Sequence, residues 1–78
     1  MTKIHKTVDA RKFSCPVPIL KSRKALKALK IDQVLEILTT DPGSMSDIPA
    51  WAQATGQELL VAEEHGSNEY RFLVKRKK

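Results

Sequence analysis

From Val34 to Thr40 the chain reads Val-Leu-Glu-Ile-Leu-Thr-Thr, apolar or β-branched on both odd and even positions. A strand at a wet edge alternates apolar with polar, so a run that is apolar on both parities belongs inside a sheet. Everything else must then be arranged around a strand near the middle of the chain. Asp41-Pro42-Gly43 stops the strand with turn chemistry.

The flanking segments supply the partners. Ile4 to Asp9 reads as a short strand with Ile4, Lys6 and Val8 on one side. Pro16 to Lys30 carries Ile19, Ala25, Leu26 and Leu29 at a helical period, with Ser22 filling the gap in the apolar stripe. A second helix is expected to start at Ser46 rather than Ser44, because Pro49 then falls in the first turn, where its missing N–H costs least. Ile48, Trp51, Ala52 and Thr55 form its inward face, and Gly56 ends it. Leu59 to Glu63 and Tyr70 to Lys75 read as the last two strands, turned by His65-Gly66-Ser67-Asn68. Tyr70, Phe72 and Val74 share one face, which should pack on the helices. The order β-α-β-α-β-β predicts an α+β fold, a two-layer sandwich with both helices on one face of a four-stranded mixed sheet. The other sheet face stays open.

Seventy-eight residues make one small domain, residues 1–78, with a basic tail over residues 75–78 that is expected to fray. The opening residues, Met1 to Lys6, are followed by no apolar stretch, so neither a signal peptide nor a membrane span is expected. Charge is divided along the chain. Residues 1–30 hold nine Lys or Arg against Asp9 alone, residues 31–70 hold eight Asp or Glu and no Lys or Arg, and residues 71–78 add five cations. The formal net charge of +5 conceals this division. Unless folding interleaves the blocks, the basic one should attract acidic partners.

Cys15, the single cysteine, lies in that block, in Ser14-Cys15-Pro16-Val17-Pro18. Pro16 pushes Cys15 out of the α region and suits the first helical position itself. With Cys15 as N-cap, only Val17 and Ile19 keep early backbone donors, because Pro16 and Pro18 lack an N–H. The positive end of the helix dipole favours thiolate over thiol, and Arg11, Lys12, Lys21 and Lys24 push the same way, so a lowered thiol pKa is predicted. The competing reading is a small buried hydrophobe, which needs neither flanking prolines nor a helix start. A disulfide within the chain is excluded, as is a two-cysteine exchange cycle. Cys15, His5 and His65 are too few and too scattered for a zinc site, so no metal and no cofactor are expected. Whatever arrives at Cys15 must be exchanged with another molecule. A lone reduced thiol also fits a cytoplasmic protein.

These residues resemble the TusA family of small sulfur carriers, also called SirA-like. Val8-Asp9, Cys15-Pro16-Val17-Pro18, the run Leu20 to Leu26, Asp41-Pro42-Gly43, Asp47-Ile48-Pro49, Gly56 and Tyr70-Arg71-Phe72 occur in the family's order over nearly the whole length. The resemblance implies a fold similar to the C-terminal domain of bacterial translation initiation factor three. It also implies a protein-bound persulfide on Cys15, positioned by Pro16, Val17 and Pro18. The sulfur would come from a cysteine desulfurase or a rhodanese and pass to an acceptor protein, serving tRNA thiolation, molybdenum cofactor maturation or dissimilatory sulfur oxidation. Arg11, Lys12, Lys21 and Lys24 are the candidate docking residues. Lys12 departs from the family, which usually has glycine three residues before the cysteine, and Phe13 stands for a usual leucine. A glycine there implies positive φ or a close approach. Two other classes compete. A nucleic-acid-binding module is suggested by the lysines, but the chain has four aromatic residues and no recognition motif. A redox-regulatory module would oxidise Cys15 without a resolving cysteine.

Overall fold

A computed structural model describes residues 3–13, 17–66 and 68–78. Its elements are β1 (Lys6–Ala10), α1 (Val17–Lys27), β2 (Val34–Thr39), α2 (Ser44–Thr55), β3 (Glu58–His65) and β4 (Glu69–Lys75). The sheet order is β1-β2-β4-β3, with β1 parallel to β2 and the other pairs antiparallel. The run that is apolar on both parities is therefore an inner strand, as its composition requires. Val8 aligns with Ile37, and Ile37 with Phe72, so one row of apolar side chains crosses three strands on one face.

Both helices lie on that face. Leu35, Ile37, Ile48, Phe72 and Val74 are wholly buried between the layers, with Ala25, Leu26 and Ala52 supplied by the helices and Leu29 by the turn after α1. Burial of each large side chain contributes about 2 kcal/mol. Ser22 fills the gap in the stripe of α1, buried, its hydroxyl donating to the Pro18 carbonyl at 2.7 Å. The opposite sheet face carries an ionic cluster beside the buried Leu73. Arg71 Nε donates to Glu36 at 2.5 Å and its Nη1 to Glu63 at 3.1 Å, while the Thr7 hydroxyl donates to Glu36 at 3.0 Å. These bonds hold both carboxyl groups below the usual carboxylate range, Glu36 chiefly through Arg71 and Glu63 chiefly through His65 and then Arg71.

Several boundaries differ from expectation, each for a physical reason. The N-cap of α2 is Gly43, not Ser46, and Pro49 lies inside the helix. Ser44, Met45 and Ser46 donate to Asp41, Pro42 and Gly43 in three-residue bonds, and Asp41 Oδ1 accepts from the Gly43 amide at 3.1 Å. The turn thus winds directly into the helix and leaves no place for a later cap. Thr55, expected inward, is exposed, and its hydroxyl donates back to the Trp51 carbonyl at 2.8 Å. At its start β1 does not bury Ile4 or Lys6; Val8 and Ala10 are its inward residues. Helix α1 stops at Lys27 instead of Lys30, because Ala28 and Leu29 tighten into three-residue bonds. The basic tail, expected to fray, is held. Arg76 Nη1 donates to the carbonyls of Leu26, Lys27 and Leu29, and Gln57 Oε1 accepts from the Lys77 and Lys78 amides at 2.7 and 3.2 Å.

Gly56 does end α2, at φ 76°, with the Gly56 and Gln57 amides returning to Gln53 and Ala52. That pairing of bonds satisfies the last carbonyls of the helix and requires the left-handed conformation that glycine adopts freely.

Candidate functional site

The topology puts two helix starts at one end of the sandwich. Helix α1 follows the C-terminal end of β1, and α2 follows the C-terminal end of β2, which runs parallel to β1. Helix N-termini carry unpaired N–H groups and partial positive charge, so this end favours anions. Ser14, Cys15 and Pro16 lie outside the described residues. Their neighbours in the chain define the surroundings: Arg11, Lys12 and Phe13 before them, Val17 and Pro18 after.

Lys12 adopts φ 71° and donates its backbone N–H to the Thr40 hydroxyl at 2.7 Å, just past the end of β2. The conformation suited to a glycine is therefore kept by a lysine. A left-handed backbone at a residue with a Cβ costs about 1 to 2 kcal/mol, which the Thr40 bond partly offsets. Phe13 follows, 44% exposed, with Lys21 Nζ lying 4.9 Å from its ring centroid, within cation–π range. Val17 opens α1 half-buried. Pro18 is fully buried and anchors the helix start to the core.

The four candidate docking residues are not equivalent. Arg11 is committed within the chain: its Nε and Nη2 each donate to Asp9 at 2.9 Å, and its Nη1 is 3.7 Å from Glu69. Hydrogen bonds from the Arg11 side chain and then its amide lower the Asp9 pKa to about 2. Lys21 is engaged with Phe13, and Lys12 and Lys24 are exposed. Asp9, Arg11, Lys12, Phe13, Thr40 and Glu69 border an open cleft of about 720 Å³. Thr40 and Glu69 were not among the residues singled out from the sequence. Their only signal was position, one just past a strand and one at a strand start, and it carries no chemistry until the chain is folded. Leu20 and Met45, in the first turns of the two helices, expose apolar surface at the same end.

Among the described residues no group of three or more His, Cys, Asp or Glu side chains converges as a metal site would. No helix is long and apolar enough to cross a membrane.

This two-layer arrangement is that of the SirA-like proteins. A SirA-like protein from Desulfitobacterium hafniense superposes with a TM-score of 0.83, covering 95% of this chain and 100% of that one at 21% identity. The family model described as Sulfurtransferase TusA matches residues 6–76, and the chain belongs to that family. Among similar sequences, the sulfur carrier protein TusA of Allochromatium vinosum is 41% identical over 97% of this chain and 99% of its own length. A putative sulfur carrier protein of Halobacterium salinarum is 41% identical over 96% of this chain and 93% of its own.

Proposed function

We propose that this chain is a sulfur carrier whose Cys15 accepts a sulfane sulfur as a persulfide and delivers it to a second protein. The observation that carries the reading is the family match across residues 6–76, which includes Cys15-Pro16-Val17-Pro18. The fold supports it by setting two helix starts at the end of the sandwich that the segment follows.

The exchange is balanced without an external oxidant. The Cys15 thiolate attacks the terminal sulfur of a donor persulfide; the new sulfur–sulfur bond forms as the donor's own bond breaks, and the donor cysteine leaves as thiolate. In the second step an acceptor thiolate attacks the outer sulfur, and Cys15 leaves as thiolate. Both steps place an anion at Cys15, which the helix start and the neighbouring lysines favour. A cysteine desulfurase or a rhodanese fits as donor. The acceptor would serve tRNA thiolation, molybdenum cofactor maturation or dissimilatory sulfur oxidation. We place the relay in the cytoplasm, where a lone thiol stays reduced, and read residues 1–78 as one working domain.

The test is intact-mass spectrometry of the wild type and Cys15→Ser after incubation with a cysteine desulfurase and cysteine, and separately with a rhodanese and thiosulfate. A gain of one sulfur atom's mass, removed by reductant and confined to wild type, is the expected result. Equal gain on Cys15→Ser, or no gain from either donor, overturns the reading.

A further inference from the structure

We propose that the groove between β1 and α1 takes an extended, acidic segment of a protein partner, added alongside β1 as a fifth strand. Among the described residues the sheet order leaves β1 at an edge, with β2 its one strand neighbour. Beside it, Val8, Ala25 and Ala28 form an apolar floor of small side chains, and Lys6, Lys21 and Lys24 stand around it. Small residues let a backbone approach closely, and an edge strand offers the hydrogen-bonding groups that strand addition uses.

Charge selects the occupant. Lys6 and Lys24 are exposed, and neither holds an ion pair among the described residues. Asp9, the one acid bordering the groove, is already neutralised by Arg11 at 2.9 Å. Lysines on an edge repel a basic or purely apolar strand and admit an acidic one, so the feature that guards the edge also chooses its partner. The opposite edge, β3, carries Glu58, Glu63 and Glu64 instead. The two edges therefore cannot take the same class of segment. The groove runs from Lys21, one turn into α1, to Ala28, just past its end, and a partner segment held there keeps its protein on the carrier, which raises the effective concentration of its reacting group. The proposal deepens the carrier reading by naming the chemistry of the partner's contact, and it rests on that reading only for what the contact is used for.

The test uses the Cys15→Ser chain, so that a failure of docking is read separately from a failure of sulfur loading. A synthetic peptide of alternating Glu and Val is titrated into isotope-labelled protein while amide resonances and hydrogen exchange are followed. The expected result is perturbation and slowed exchange within Lys6–Ala10. Affinity should fall about tenfold in Lys6→Glu/Lys24→Glu and stay unchanged in Lys27→Glu/Lys30→Glu, since exposed charge pairs each contribute only a few-fold. All four positions are exposed, and circular dichroism checks that the fold persists. Absence of any change in β1, equal binding of a Lys-for-Glu peptide, or displacement by a single-stranded oligonucleotide of equal charge overturns the proposal. Concentration-dependent self-association lost in Lys6→Glu also overturns it, assigning the edge to a second copy instead.

Discussion

The two ends of the sandwich are built in opposite ways. Where the helices finish, the last residues close the structure: Arg76 donates to three carbonyls at the end of α1, Gln57 accepts from two tail amides, and Lys77 Nζ stands 3.4 Å from Asp32. Where the helices start, a lysine sits in a left-handed conformation, and Phe13, Leu20 and Met45 leave apolar surface in contact with water. One end is tied down by the tail of the chain, and the other, although Arg11 is paired with Asp9 there, leaves Lys12 and this apolar surface exposed.

The sharpest way to break the comparison is Cys15→Ser. It is expected to abolish sulfur loading while leaving the urea midpoint unchanged, because the end that stabilises the fold is elsewhere. A large fall in midpoint would mean that the thiol belongs to the core. Arg76→Ala should do the reverse. Loss of the bonds to the end of α1 should cost about 2 kcal/mol of stability in urea unfolding, since charge-assisted bonds to helix carbonyls are worth that much, with the loading rate of the folded protein preserved.

A matched pair of substitutions then sharpens the contrast. Gly56→Ala places a Cβ at φ 76°, 2.8 Å from Lys78 Cδ, and should destabilise by about 1 kcal/mol. Lys12→Gly removes a Cβ at φ 71° and should relieve a similar strain of about 1 kcal/mol, less the entropy that glycine returns to the unfolded chain. Thermal unfolding measures both signs. If Lys12→Gly destabilises instead, the Lys12 side chain contributes contacts that outweigh its backbone strain.

How much of this was legible follows from the range of each interaction. The inner position of β2, the inward row Tyr70, Phe72 and Val74, the packing of Ser22 and the stop at Gly56 depend on side-chain pattern or on one residue's backbone preference. All four were readable from the sequence. Proline's avoidance of helix interiors points to Ser46 as the cap. The three-residue bonds from Asp41-Pro42-Gly43 that start the helix earlier depend on the shape of a turn, which composition does not specify. The hold on the tail is not legible in the sequence because Arg76 and Leu26 are fifty residues apart in the chain. Charge blocks likewise group Arg11 with Lys12, Lys21 and Lys24 as candidate docking residues. The pairing of Arg11 with Asp9 is local but depends on how the chain turns at the end of β1, and its approach to Glu69 exists only once β2 has joined β1 and β4 in one sheet.

That pairing supplies the smallest and most local prediction. The Asp9 carboxyl is held at about 2, against an ordinary value of 3.8, first by the Arg11 side chain and then by its amide. A carboxyl lowered by folding adds stability above its unfolded value, and that contribution disappears as pH falls through the folded one. The pair therefore stays intact between pH 4 and neutrality and contributes nothing below about 2. Carbon-detected NMR titration should place the Asp9 midpoint near 2 in wild type and return it towards 3.8 in Arg11→Gln. The same variant separates the roles of the candidate docking residues. With Arg11 already held by Asp9 through two bonds, Arg11→Gln should alter the rate of sulfur loading less than Lys12→Glu, whose ammonium group is exposed to a partner. A larger loss in Arg11→Gln would show that the Asp9–Arg11 pair opens during docking, and the end reserved for the partner would then begin one residue earlier.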